Sequence, residues 1–509
     1  MSRLIHQIQQ AYLGQENKIA VIIDDKRYSY AELYERAEQV KYYLTTELQV
    51  QSDDFIGIVL PNNLEFVLLT LVAADMNLTL VPLMTNTPVN TLSNTLKSLP
   101  IKHVITEPFT KNFNNYPDHL NNISISSINS DELTQKRTAL GDDFSDSHNK
   151  ALILTMTSGS TGNPKPIVLT QGVKIERAKA AIKLYNVTAS DITLIATPLY
   201  HSLAERLLFV SLLSGGTAVI MSKFDIAKWV ERISTLRVTF TIAVSSQLKQ
   251  IINYQRNYDA DFSTLRCLVS SSALLDTHTK LQLIELLSCE FHECYGTSEI
   301  AIATNVKFSP EKSLPTVGTA IEGVDVKILA PNGGFANENS QGEIICKTPM
   351  MFSGYFNLPE KTREAFHDGY FKTGDLGYLD EKGNLFYLGR SKDVIITGGI
   401  NVYPNDIDAL LNELDEINEC YAFPMQDERL GEVVAVALKP KLKDINLKKI
   451  SRYCMKNLSD AQQPRHYVIF DEFPKTALGK IERYKLEELA NKIIEQDPSK
   501  HTSFNYQVN

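Results

Sequence analysis

Apolar residues along the first third of the chain alternate between two spacings. Short runs such as Ile19 to Ile23, Phe55 to Leu60 and Leu80 to Leu83 predict strands, and Ala31 to Leu44 and Leu64 to Ala74 repeat at helical spacing. This alternation predicts an α/β protein with largely parallel sheet. Residues 107 to 150 are rich in Asn, Asp and Ser and read as irregular surface structure. Two further strands, Leu152 to Met156 and Ile167 to Leu169, flank a polar loop. Thr170 then reads as the cap of a helix on which Ala178, Ala181, Ile182 and Tyr185 recur, and Leu194 to Thr197 reads as a strand.

From Val317 the texture changes to short β segments punctuated by Gly and Pro, VDVKILAPNGG and QGEIICKTP among them, which predicts a β-rich subdomain over about 317–391. Beyond Lys392 it changes again. Ile407, Leu410, Leu411 and Leu414 form one helical face, Val433 to Leu438 a strand, and Leu447, Ile450, Cys454 and Leu458 a second face. The chain therefore divides into a large unit, 1–391, and a small α+β unit, 392–509. The most apolar run, Leu207 to Met221, contains Gly215 and Gly216 and is shorter than the roughly 20 residues a membrane-spanning helix needs. It reads as a buried helix and strand.

With 51 basic and 60 acidic residues the formal charge is −9, which argues against nucleic acid or an anionic membrane as the main partner. The N-terminus has no continuous apolar stretch of the kind a secretion signal needs. Cysteines 267, 289, 294, 346, 420 and 454 form no CxxC pair, so a reduced, cytoplasmic chain is expected.

Four stretches carry chemistry. The loop Thr157, Ser158, Gly159, Ser160, Thr161, Gly162, Asn163, Pro164, Lys165 combines glycines, hydroxyls and a lysine, the set a polyphosphate requires. It is not a Walker A loop, because Asn163 and Pro164 separate Gly162 from the lysine and no helix follows directly. Tyr295-Gly296-Thr297-Ser298-Glu299 offers an aromatic plane, hydroxyls, and a carboxylate able to hold Mg²⁺. Asp375, after a Thr-Gly turn, and Arg390, after Gly389, are suited to gripping the hydroxyls of a ribose. Lys480 follows Gly479 in PKTALGK, just before a helix. Each taken alone also reads as an ordinary turn or a solvated charge.

In this order the four stretches resemble the superfamily of adenylate-forming enzymes: acyl-CoA synthetases, nonribosomal peptide adenylation domains and firefly luciferase. The likeness runs from Tyr30-Ala-Glu-Leu and VLPNNLEFV to Lys480. It implies a large α/β domain of mixed, mostly parallel sheets with a β-rich subdomain, and a small mobile C-terminal domain hinged at Lys392. It also implies that Thr157 to Gly162 and Lys165 cradle the β- and γ-phosphates of ATP. Tyr295 would lie on adenine with Gly296, Ser272, Ala273 and Tyr387 close by. Thr297 would bond the α-phosphate, Glu299 would hold Mg²⁺, Asp375 and Arg390 would hold the ribose, and Lys480 would be the catalytic lysine. Gly398 and Gly399 match the loop lining a pantetheine tunnel, although a Gly-Gly hairpin turn is the other reading.

The implied reaction joins a carboxylic acid to AMP and passes the acyl group to coenzyme A. Loading of a carrier protein's phosphopantetheine, or a non-catalytic nucleotide-binding relative, are the alternatives. Amino-acid-activating relatives carry Asp after the position of His201. Here Ser202 stands there, which favours a fatty or aryl acid over an α-amino acid. His201 to Arg206 is expected to form part of the acyl pocket, with Glu205 and Arg206 read first as a structural ion pair and otherwise as ligand contacts. Pro166 after the loop lysine, Ser271-Ser272-Ala273 in place of a Gly-rich segment, and Asp406 and Asp408 in place of glutamates depart from the family pattern. A free-standing ligase is expected, as a monomer or homodimer.

Overall fold

The computed structural model describes residues 2–85, 87, 89–107, 121–124, 147–156, 165–255, 261–309, 316–441, 445–475, 481–496 and 500–504. Their strands form four sheets. A nine-stranded sheet runs Thr319–Ala320, Thr304–Lys307, Glu290–Tyr295, Cys267–Ser271, Phe240–Val244, Ile192–Ile195, Thr217–Ile220, Ile19–Ile23, Lys26–Ser29, and is parallel from Glu290–Tyr295 to Ile19–Ile23. A six-stranded sheet runs Asn121–Ser124, Ile101–Thr106, Phe55–Val59, Thr79–Pro82, Ala151–Met156, Pro166–Thr170. Strands within Asp325–Arg390 form a third sheet, antiparallel throughout. The fourth uses only strands from Ile395 onward.

Helices Tyr30–Tyr42, Leu64–Met76, Gln171–Leu184 and Ser202–Leu213 pack between the two large sheets and share one apolar cluster with both. Leu64–Met76 is buried nearly all round, as its uninterrupted LEFVLLTLVAADM demands. Thr170 caps Gln171–Leu184 by accepting from the Val173 N–H, and Ser29 closes a capping box with Glu32. No helix among the described residues is long and apolar enough to cross a membrane. All six cysteines are free.

Three expectations need correction. The stretch from 107 to 150 is not all irregular, because Asn121–Ser124 pairs in parallel with Ile101–Thr106. Backbone pairing and the buried Ile123 suffice there, and neither leaves a hydrophobic pattern in the sequence. The strand expected at Leu194 to Thr197 is Ile192–Ile195 instead. Its continuation is diverted, since the Ala196 carbonyl accepts from Gln247 and the Thr197 carbonyl from Asn62 Nδ2 at 3.0 Å. Asp375 does not follow a turn but lies within the strand Tyr370–Leu379, where Thr373 to Asp375 bulge out opposite Ile344 and Gly374 takes a φ of 74°.

The nine-stranded sheet is pinned at the N-terminal ends of its strands. Asp191 takes a two-pronged bond from Arg266 (2.7 and 2.8 Å) and further bonds from Thr239 Oγ1 and the Thr188 N–H. Burial alone would raise the Asp191 pKa, but these donors outweigh it and hold it below the ordinary 3.8. A carboxyl with a depressed folded-state pKa contributes stability that is present above its unfolded value and lost as pH falls through the folded one. Asp191→Ala is therefore expected to lower stability by about 2–3 kcal/mol at neutral pH, discounted because Arg266 keeps solvent and two backbone acceptors. Urea titrations should show that deficit shrinking below about pH 4.

Candidate active site

The Tyr295-to-Glu299 segment leaves the C-terminal end of Glu290–Tyr295, the edge of a parallel sheet where α/β folds bind ligands. It doubles back at once: the Ala301 N–H donates to Thr297 O at 2.9 Å and the Ala303 N–H to Tyr295 O at 2.8 Å. A Cβ on Gly296 would lie 1.7 Å from the Ala301 carbonyl oxygen, so only glycine fits. The turn leaves Thr297 Oγ1 sealed and without a partner among the described residues.

Glu299 is fixed from three sides. Its backbone carbonyl accepts from Arg177 Nη2 (2.8 Å) and from the Phe352 N–H (2.7 Å), while its carboxylate accepts from the Tyr355 hydroxyl (3.1 Å). Tyr355 sits on a segment that brackets Pro166–Thr170: Val168 N–H donates to Gly354 O, and Phe356 N–H to Pro166 O. Lys165 Nζ stands 5.0 Å from the Tyr355 ring centroid. A lysine and a carboxylate far apart in sequence thus meet at one phenol, whose pKa is raised by burial and by the charge of Glu299. Pro166 causes no disruption, because it is the first residue of its strand, a place proline tolerates.

Asp375 and Arg390 are register partners on adjacent antiparallel strands, with Arg390 Nε 3.2 Å from Asp375 Oδ1. The buried Asp375 also accepts from the Tyr295 hydroxyl at 2.8 Å. One bonded chain, Tyr295–Asp375–Arg390, thereby joins the nine-stranded sheet to the antiparallel one. Burial and the Asp375 charge raise the Tyr295 pKa, which keeps the phenol a donor. The Tyr387 ring lies 5.8 Å from that of Tyr295. Ser272, just past Cys267–Ser271, takes a φ of 77°, a left-handed conformation that costs a residue with a Cβ about 1 kcal/mol. Ala273 beside it is exposed, and its carbonyl accepts from Ser245 Oγ.

His201 precedes helix Ser202–Leu213, its ring 4.6 Å from that of Tyr200. Ser202 Oγ accepts from Arg177 Nη1 at 3.3 Å. The expected Glu205–Arg206 ion pair does not form: Glu205 is bound by Lys174 instead, since successive residues on a helix point about 100° apart. Arg177, Lys174 and Tyr355 were not anticipated as site residues. The first two had a signal, because Lys174, Arg177, Ala178 and Ala181 fall at i, i+3, i+4 and i+7 on one buried face.

Lys392 is exposed, in the turn Ser391–Asp393, with its pKa pressed down first by partial burial and then by Arg390 and Arg483. Gly398 and Gly399 form the exposed turn of the hairpin Ile395–Thr397/Ile400–Val402, both with positive φ. The loop Thr157 to Gly162 and Lys480 lie outside the described residues. Arg483, three residues beyond Lys480, is ion-paired with Asp393 and packs over the Tyr421 ring. Polar contacts between the terminal sheet unit and the rest include Asn405 Nδ2 to Leu388 O (3.0 Å) and the Tyr403 hydroxyl to Gln341 Oε1 (2.8 Å).

A hydroxyl-lined turn at a parallel sheet edge, a fixed carboxylate beside it, and an Asp–Arg pair on a second sheet are the marks of a nucleotide-dependent ligase. The chain belongs to the family of AMP-binding enzymes, which it matches over residues 8–356, with the AMP-binding enzyme C-terminal domain matching over 406–480. It is 30% identical over 342 residues to an indoleacetate–CoA ligase of Aromatoleum aromaticum, covering 66% of this chain and 67% of that one. It is 27% identical over 483 residues to a 2-succinylbenzoate–CoA ligase of Bacillus pumilus, covering 94% and 96%. The o-succinylbenzoate coenzyme A synthetase of Bacillus subtilis, solved with ATP and magnesium ion, superposes with a TM-score of 0.85 at 25% identity, over 94% of this chain and 99% of that one.

Proposed function

We propose that this protein activates a carboxylic acid with ATP and transfers the acyl group to coenzyme A. The observation that carries the reading is the Tyr295–Asp375–Arg390 chain standing beside the fixed Glu299 carboxylate and a Thr297 hydroxyl that has no partner among the described residues. In the first step the acid's carboxylate oxygen attacks the α-phosphorus and pyrophosphate leaves. In the second, a thiol sulfur attacks the acyl carbon, AMP leaves and the thiol proton goes to solvent. The attacking carboxylate is already ionised at pH 7, so no general base is needed. What must be supplied is compensation for two anions brought together.

The residues present suit that demand. Thr297 Oγ1 has a hydrogen bond to give to the α-phosphate. Glu299 would hold Mg²⁺, which supplies positive charge at the phosphates. Lys165, with the hydroxyls of Thr157 to Gly162, would hold the leaving pyrophosphate. Asp375 and Arg390 would bind the ribose, with Tyr295, Tyr387, Gly296, Ser272 and Ala273 around adenine, and Lys480 would bridge the reacting carboxylate and α-phosphate. Residues 1–391 would act as the nucleotide-binding domain and 392–509 as a mobile one, turning at Lys392 to bring Gly398 and Gly399 to the thiol. A reducing, cytoplasmic compartment suits the six free thiols.

The relatives differ in their acids, indoleacetate in one and 2-succinylbenzoate in others, so the substrate has to be sought in this chain's own residues. The test is incubation with ATP, Mg²⁺ and a panel of fatty, aryl and small acids, reading pyrophosphate release and, by mass spectrometry, acyl-CoA. Acid-dependent release of pyrophosphate with formation of the thioester is expected. Release with acyl transfer only to a holo-carrier protein would overturn coenzyme A as the acceptor, and no acid-dependent release would overturn the reading altogether.

A further inference from the structure

Helix Ser202–Leu213 carries two successive charged residues into the interior, and only one of them is answered. Glu205 is held by Lys174. Arg206 is 7% exposed, its Nε is sealed from solvent, and it has no hydrogen-bond or ion-pair partner among the described residues. Lys174 and Arg177 are buried close by, so three interior cations face one interior carboxylate. A guanidinium taken out of water without an acceptor is costly, and native folds retain one chiefly where something else completes it.

Its position says what that something is. Arg206 stands four residues beyond Ser202, hence on the same helix face, and Ser202 is joined through Arg177 to the Glu299 backbone. Burial first, and then the charge of Arg206, act on the Cys294 thiol of strand Glu290–Tyr295, so the guanidinium lies within electrostatic reach of that strand. The helix packs against strand Ile192–Ile195, and the Ile195 and Cys294 side chains belong to the same apolar cluster as the helix. Two more sealed hydroxyls without a partner among the described residues, Thr197 Oγ1 and Thr297 Oγ1, lie two residues beyond the ends of Ile192–Ile195 and Glu290–Tyr295.

An acid with one carboxylate must present it at Thr297 and Glu299 to react, and then has no anion left for Arg206. We propose that Arg206 binds a second carboxylate, at the far end of the acid being activated, so that the substrate class is dicarboxylic acids. The inference rests on the ligase reading above, and it concerns only which acid that site accepts. Arg206 suits the task, because a guanidinium meets a carboxylate with two parallel hydrogen bonds and stays charged when buried.

The test uses matched pairs: diacids of increasing length and the monoamide of each, which keeps shape and removes the second charge. Pyrophosphate release is the readout, so the identity of the thiol acceptor does not matter. The wild-type protein is expected to favour the best diacid over its monoamide by about 100-fold in kcat/KM, the range for a charged hydrogen-bonded contact. In Arg206→Met the ratio should fall to within about threefold through loss on the diacid, while Arg206→Lys keeps part of it. A wild-type ratio near or below one along the whole series would overturn the proposal, as would an unchanged ratio in a folded Arg206→Met protein. If that variant fails to fold, the wild-type pairs alone decide. Release with monoacids and monoamides only sinks this inference and leaves the ligase reading standing, whereas no release with any acid removes the ligase reading itself.

Discussion

Lys480→Ala is expected to slow acid-dependent pyrophosphate release by about 10²–10⁴-fold, the span over which single electrostatic contacts act on phosphoryl and acyl transition states. The reaction brings a carboxylate onto a polyphosphate. Glu299 is itself an anion and would help only through a metal bound to it, which leaves lysines to neutralise the reacting centre directly. Lys165 lies against the Tyr355 ring, and in the proposed arrangement it would hold the leaving pyrophosphate rather than the α-phosphate. The helix Arg483–Gln496 begins three residues past Lys480 in the chain and is anchored at its first residue by the Asp393 ion pair. Single-turnover release with the melting temperature as control checks this. A rate within threefold of wild type would remove the lysine from the mechanism.

Arg177→Met carries the second large effect, and it acts on fold and site together. The guanidinium is buried and spends its donors on Met350 O (2.9 Å), Glu299 O (2.8 Å) and Ser202 Oγ (3.3 Å). Burial first, and the neighbouring Arg206 second, press its pKa down, so removing the charge also relieves a repulsion. The net cost is set by the acceptors left behind, chiefly the Met350 carbonyl, and is expected at about 2–4 kcal/mol in urea unfolding. At temperatures where the variant remains folded, pyrophosphate release should still fall by at least about tenfold, because Glu299 loses the bond that sets its backbone. Arg177→Lys should rescue little, since one ammonium cannot reach three acceptors spread over one helix and two turns. Normal turnover by a folded Arg177→Met protein would show that Glu299 needs no such support.

Local pattern was enough to read most of the architecture. Leu64–Met76 announces itself by an unbroken apolar run and Gln171–Leu184 by its Thr170 cap, and the antiparallel sheet by the Gly- and Pro-punctuated stretches after Val317. What escaped was decided between distant segments. Asn121–Ser124 is a strand only because Ile101–Thr106 offers it a ladder. Asp375 and Arg390 were legible as a pair, but their joint hold on Tyr295 needed the meeting of two sheets. Tyr355 carries no local sign of its place between Lys165 and Glu299. Glu205 was assigned the neighbour it has in sequence, whereas helical geometry turned it toward Lys174.

The hairpin Ile19–Ile23/Lys26–Ser29 closes the edge of the nine-stranded sheet by pairing in parallel with Thr217–Ile220. As the chain emerges during synthesis, that first strand can pair with Lys26–Ser29 on one side, but its other edge has no partner until residue 220 has been made, and meanwhile the segments from Phe55 to Thr170 can assemble the other large sheet. At roughly 5–20 residues per second the wait is about 10–40 s, during which Ile19–Ile23 keeps one apolar edge open. Nascent chains of this protein are therefore most exposed to misassociation at their earliest strand rather than their latest. Its folding cannot run strictly from the N-terminus onward.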